Sequence, residues 1–139
     1  MESEVKRVAK AENLSEKVRV LGFREEVADL MHAADVCIWP SLEIPKEGLG
    51  LGVVEAQTTG LPVLMSESVP AEAIVVAELV RVLQLAAGAE KWANEVSQLS
   101  VAARPTKAEA LAKVENSSFA IANGVANIMA LYQLPSEFV

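Results

Sequence analysis

A single cysteine, Cys37, rules out an internal disulfide. Lying inside the apolar run DVCIW (residues 35–39), it reads as a buried, inert thiol. The one histidine, His32, sits among alanines, and no His/Cys cluster has metal-ligand spacing. It reads as structural, and with scattered serines it assembles no nucleophile-plus-base set. No Asp-x-Asp pair occurs, so a metal-free site is the consistent expectation. Basic residues are outnumbered, 12 against 19, for a net charge of −7. Nucleic-acid binding draws on clustered Lys and Arg, so that class of partner is excluded. The apolar runs are broken too early to span a bilayer. No basic-plus-apolar signal opens the chain, so the expected location is cytoplasmic.

What is present is apolar bulk: 52% of 139 residues, enough for one domain over 1–139 with one sizeable core. From Ser3 to about Asn13, Val5, Val8 and Ala9 recur at helical spacing between Lys and Arg. Val18–Phe23 (VRVLGF) reads as a short buried strand ending in a turn at Gly22, Phe23 and Arg24. Glu25 and Glu26 favour a helix start, where negative charge is stabilised, and Val27, Leu30, Met31 and Ala34 form its inward stripe. Strands are expected over residues 35–39, 62–65 and 79–85, and helices over 88–103, 107–115 and 119–134. The last helix carries Ile121, Val125, Ile128 and Tyr132 on one stripe that wants cover. Trp39 and Trp92 read as core residues. The pattern is α/β with a mostly parallel sheet, whose ligand belongs at the carboxyl ends of the strands, after Phe23 and after Trp39.

The organising stretch is PSLEIPKEGLGLGVVEAQTTGLP, from Pro40 to Pro62. Two carboxylates, Glu47 and Glu55, flank the glycine-spaced run Gly48, Gly50 and Gly52, which enters a helix that Gly60 can end. A glycine turn feeding a helix leaves backbone N–H groups unpaired and directed outward, a ready seat for phosphate. Glu47 falls in the turn and Glu55 within the first two helical turns, so both can reach hydroxyls of a ligand whose phosphates lie on the helix end.

Read outward, AADVCIWPS followed by EGLGLGVVEAQTTGLPVLMS resembles the donor-binding half of retaining GT-B glycosyltransferases, the large group that includes bacterial exopolysaccharide and mannosyl transferases. The fixed residues of that pattern match Ala34, Asp35, Val36, Pro40, Ser41, Glu47, Gly48, Gly50, Glu55, Ala56, Gly60, Pro62 and Val63. Ser66–Glu72, with Trp92 and Ala93, look closer to a capsular or exopolysaccharide subgroup. The resemblance implies a partial Rossmann-like three-layer domain that lacks the first strands of the family's donor domain. It implies a nucleotide-sugar donor, UDP- or GDP-linked, as substrate and no further cofactor. By resemblance Glu47 binds donor-sugar hydroxyls and Glu55 the ribose. Gly48, Leu49, Gly50 and Leu51 present amides to the sugar and diphosphate, and Phe23 and Arg24 lie near the nucleobase.

Two departures from the family pattern matter. The Arg and Lys that neutralise the donor diphosphate belong to elements that precede the matched part, so little or no transferase activity is expected of this chain alone. Leu42–Lys46 intervene between P-S and E-G, which makes Glu43 a rival for the first-carboxylate role and Lys46 the nearest cation. A sheet without its first strands exposes an edge, which implies an N-terminal acceptor-domain partner or a homo-oligomer. The alternative function is a non-catalytic relic or stand-alone module that keeps the fold as an oligomeric binding or scaffold protein.

Overall fold

A computed structural model describes residues 2–132. Its centre is a three-stranded, wholly parallel sheet in the order β1-β2-β3, formed by Cys37–Trp39, Val63–Ser66 and Val80–Leu83. Cys37, Ile38 and Trp39 stand beside Val63, Leu64 and Met65, and Val63 to Ser66 beside Val80 to Leu83. Parallel neighbours need a crossover, and the organising stretch supplies it. Among the described residues six α-helices accompany the sheet: α1 (Glu2–Ala11), α2 (Val27–Ala33), α3 (Leu51–Thr58), α4 (Ala89–Val101), α5 (Lys107–Glu115) and α6 (Ile121–Tyr132). The arrangement is α/β and Rossmann-like.

Strand alternation sends Val63 and Met65 to one face, where they join Val53, Val54 and Ala56 of α3 and Ala110 and Val114 of α5 in the main core. Leu64 alternates to the other face and is also fully buried, with α4 packed against β2. All four β2 residues are buried, as expected of the middle strand of a sheet covered on both faces. Burying a side chain such as Leu64 or Leu79 contributes roughly 1.5–3 kcal/mol. Helix α5 begins on a reciprocal cap: Thr106 Oγ1 accepts from the Glu109 amide while the Glu109 carboxylate accepts from the Thr106 amide. Thr106→Ala is expected to lower stability by roughly 1 kcal/mol, read as a smaller midpoint in urea. The Thr106 amide and hydroxyl also hold the Glu109 carboxyl below its ordinary value. A depressed carboxyl stabilises the fold above its unfolded value, and that contribution is lost as pH falls through the folded value. The gap between Thr106→Ala and the parent therefore narrows in acid.

Two expectations from the sequence are corrected. Val18–Phe23 forms no strand: an extended segment becomes one only by pairing, and this one pairs with none of the described strands. The α6 stripe, which wants cover, has none among the described residues: Ile121 is 86% exposed, Val125 37%, Ile128 56% and Tyr132 74%, while Met129 is the residue that α6 buries. Helix α2 likewise leaves Val27 and Leu30 exposed and turns only Met31 against the core. The expected extension of α6 to Leu134 lies outside the described residues. The outer edge of β1 carries no described strand, and Ile38 on it is 49% exposed.

Candidate functional site

The loop leaving β1 and the helix returning to β2 create the site. Pro40 closes β1, the inserted residues 42–46 bulge outward through a cis Ile44–Pro45 peptide, and the chain comes back at Glu47. Gly50 then takes a left-handed conformation (φ 78°, ψ 50°) as the residue preceding α3, with no side-chain cap. A Cβ there would sit 2.9 Å from Val69 Cγ1, so both the backbone angle and the space demand glycine. Gly52 is required by contact instead, because a Cβ would lie 2.6 Å from the Trp39 ring. The first amides of α3 thus stay uncapped at the carboxyl end of the sheet, as the glycine spacing implies.

Beside them opens a cavity of about 800 Å³, lined by Lys46, Glu47, Gly48 and Leu49 on one side and by residues 67–72 with Ile74 on the other. Glu47 is half-buried there. Trp39 Nε1 donates to Glu47 Oε2 at 3.3 Å, and Ser41 Oγ donates to the same oxygen at 3.2 Å. Ser66, at the end of β2, donates from Oγ to the Ser41 carbonyl at 2.7 Å and ties the loop to the sheet. Three carboxylates, Glu47, Glu67 and Glu72, face one cation, Lys46, along the lining. Such a lining suits neutral hydroxyls better than bare phosphate, which needs positive charge from elsewhere. Glu67 is partly committed, since its Oε2 accepts from the Leu85 amide.

The structure brings Glu47, Gly48 and Leu49 to one cavity, with Gly50 behind them. Leu51 is exposed at the start of α3, and Glu55 is exposed one turn further along the same helix, off the cavity lining. Phe23 and Arg24 are not gathered in: Phe23 is 91% exposed, and Arg24 donates to the Leu21 carbonyl on a separate surface with Leu30 and Asp29. Glu43 is exposed and lines a neighbouring hollow with Lys46, so Glu47 is the carboxylate bonded to the end of β1. Cys37 is half-buried, and burial pushes its thiol up. His32 Nδ1 accepts from Lys107 Nζ at 3.1 Å, joining α2 to α5 away from this cavity. Among the described residues no cluster of His, Cys, Asp or Glu has the makings of a metal centre.

Sequence reasoning missed the roles of Trp39, Ser41 and Ser66. Trp39 does pack on the core, but its indole N–H faces Glu47. The available signal was its place at the carboxyl end of a strand, where a half-apolar, half-polar side chain serves both surroundings.

A parallel sheet, a glycine turn into a helix, and carboxylates beside the uncapped amides make up a Rossmann-like carboxyl edge. Residues 1–101 match the model of the family described as "Glycosyl transferases group 1". The chain belongs to that family. It is 35% identical over 104 residues to EpsF of Bacillus subtilis, a protein named as a glycosyltransferase, covering 75% of this chain and 26% of the relative. It is 41% identical over 54 residues to the UDP-Gal:alpha-D-GlcNAc-diphosphoundecaprenol alpha-1,3-galactosyltransferase of Escherichia coli, covering 39% of this chain and 13% of that protein. The chain thus spans about a quarter or less of the length of these curated relatives. No helix among the described residues is long and apolar enough to cross a membrane.

Proposed function

We propose that this chain supplies the donor half-site of a retaining GT-B glycosyltransferase that moves a sugar from a nucleotide to an acceptor hydroxyl in polysaccharide or glycoconjugate synthesis. The observation that carries the reading is the convergence of Glu47 with the Gly48–Gly50 turn on one cavity beside the uncapped start of α3. In this reading Glu47 accepts hydrogen bonds from the donor sugar, and the amides of residues 48–51 hold the diphosphate. Glu55 accepts from the ribose hydroxyls, being exposed on the same helix one turn beyond those amides. The acceptor oxygen bonds to the anomeric carbon as the bond from that carbon to the diphosphate oxygen breaks, and the acceptor proton leaves with the diphosphate.

The relative named for UDP-Gal favours a UDP-linked donor. Leaving-group charge requires cations beyond Lys46, so transfer depends on further protein, in the same polypeptide or a partner chain. The open edge of β1 supports a further strand docking there, from an acceptor-domain partner or a second copy.

The test is an NMR titration of labelled protein with UDP, GDP and their sugar conjugates, repeated on Glu55→Gln. Saturable shifts at residues 47–55, with affinity for UDP roughly 3- to 10-fold weaker in Glu55→Gln, are expected from the loss of hydrogen bonds to a charged acceptor. Unchanged spectra at millimolar nucleotide would overturn the donor-site reading.

A further inference from the structure

We propose that Trp39 and Ser41 are positioning residues for Glu47, holding one of its oxygens so that the other becomes the single acceptor offered to a sugar hydroxyl. The proposal rests on the donor-site reading above for its ligand, though its geometry is independent of that reading. Both donors, Trp39 Nε1 and Ser41 Oγ, converge on Oε2, at 3.3 and 3.2 Å. Among the described residues Oε1 accepts no hydrogen bond. A glutamate with free rotation would present two equivalent oxygens to any hydroxyl. Here the carboxylate is oriented before the ligand arrives, which spares the cost of ordering it on binding.

The orienting groups are themselves fixed. The Trp39 ring lies over Gly52, where a Cβ would come within 2.6 and 2.7 Å of two ring carbons, so α3 is notched to admit the indole. Trp39 also packs against the buried core, and the Ser41 carbonyl is held by Ser66 Oγ. The indole and hydroxyl thus connect the ends of β1 and β2 to the one carboxylate inside the cavity. The residues 42–46 leave Glu47 on a long loop, and this clamp gives it a defined position there.

Two measurements on the intact chain test this. In nitrogen-15-labelled protein without ligand, Glu47→Ala is expected to move the Trp39 indole N–H signal upfield. The Trp92 indole, which donates to the Gln84 carbonyl at 3.1 Å, serves as an unmoved control. A Trp39 signal unchanged by Glu47→Ala overturns the clamp whatever any ligand does.

The second measurement compares UDP-galactose with UDP by calorimetry. Trp39→Phe keeps the ring in its notch, and Ser41→Ala removes only the hydroxyl. Each is expected to weaken UDP-galactose roughly 3- to 10-fold, the usual worth of a hydrogen bond, while leaving UDP unchanged. Ser41→Thr should restore the parent value. Damage to the fold would weaken both ligands alike. Parent-like affinity of Trp39→Phe and Ser41→Ala for UDP-galactose, where Glu47→Ala has weakened it, overturns the positioning role. If Glu47→Ala itself binds UDP-galactose like the parent, the sugar-contact reading of Glu47 falls and the positioning role falls with it, while the indole shift still reports the clamp.

Discussion

Replacing Gln57 with leucine is expected to destabilise the protein by about 3 kcal/mol or more, because three backbone groups lose their partners at roughly 1–3 kcal/mol each. Gln57 is fully buried on α3, and its one amide is used to capacity. Nε2 donates to the Val53 carbonyl at 2.9 Å and to the Ala73 carbonyl at 2.7 Å. Oε1 accepts from the amides of Val75 and Val76 at 2.9 and 2.7 Å. Leucine has similar bulk, so the substitution opens little cavity and isolates the polar loss. The Ala73 carbonyl and the amides of Val75 and Val76 are left without it. Domain stabilities run to about 5–15 kcal/mol, so such a loss is a large fraction of the whole. Urea unfolding followed by circular dichroism reads it directly. A change below about 1 kcal/mol would mean that water takes over the amide's bonds, and the staple would then count for little. Ile74 and residues 71 and 72 wall the cavity, so ligand affinity should fall together with stability.

The second large effect is expected at Gly50. Gly50→Ala places a Cβ in a left-handed conformation, costing about 1–2 kcal/mol, and drives it against Val69 Cγ1. A total near 3 kcal/mol is expected, and the nucleotide binding proposed above should be lost as the turn before α3 is displaced. The double variant Gly50→Ala/Val69→Ala separates the causes. Removing the valine methyls relieves the overlap and should recover the steric part, while the conformational part remains. Additive effects in that cycle would show that the two side chains do not meet.

Legibility in the sequence followed how local each cause was. The glycine turn was readable because the left-handed angle at Gly50 is a demand on one residue, and glycine meets it with little penalty. Strands 37–39, 63–66 and 80–83 were readable as apolar runs between turns, and α5 matched its expected bounds, Lys107 to Glu115. Val18–Phe23 failed because a strand is a relation between two segments, and composition describes only one of them. The α6 stripe was legible, but its cover was not: periodicity marks an apolar face without naming what covers it. Gln57 carries no local signal, since three of its four partners lie 16 to 19 residues away in a segment without periodicity. At the cavity, Glu47, Gly48 and Leu49 of the string come together, whereas Phe23 and Arg24, placed with them by resemblance, stand on a different surface.

Strand β2 is paired along both edges and buried on every residue, while β1 and β3 are each paired along one, β1 over three residues against four for β3. Local opening therefore has a direction. Fluctuations should peel the sheet from β1 inward, and β2 amides should exchange with solvent only near the limit of global unfolding. Trp39 ends the strand that opens first, and the Ser41 loop follows it. The residues that hold Glu47 thus occupy the least secured margin of the sheet, and a chain docking along β1 would set the rigidity of the cavity without touching a ligand.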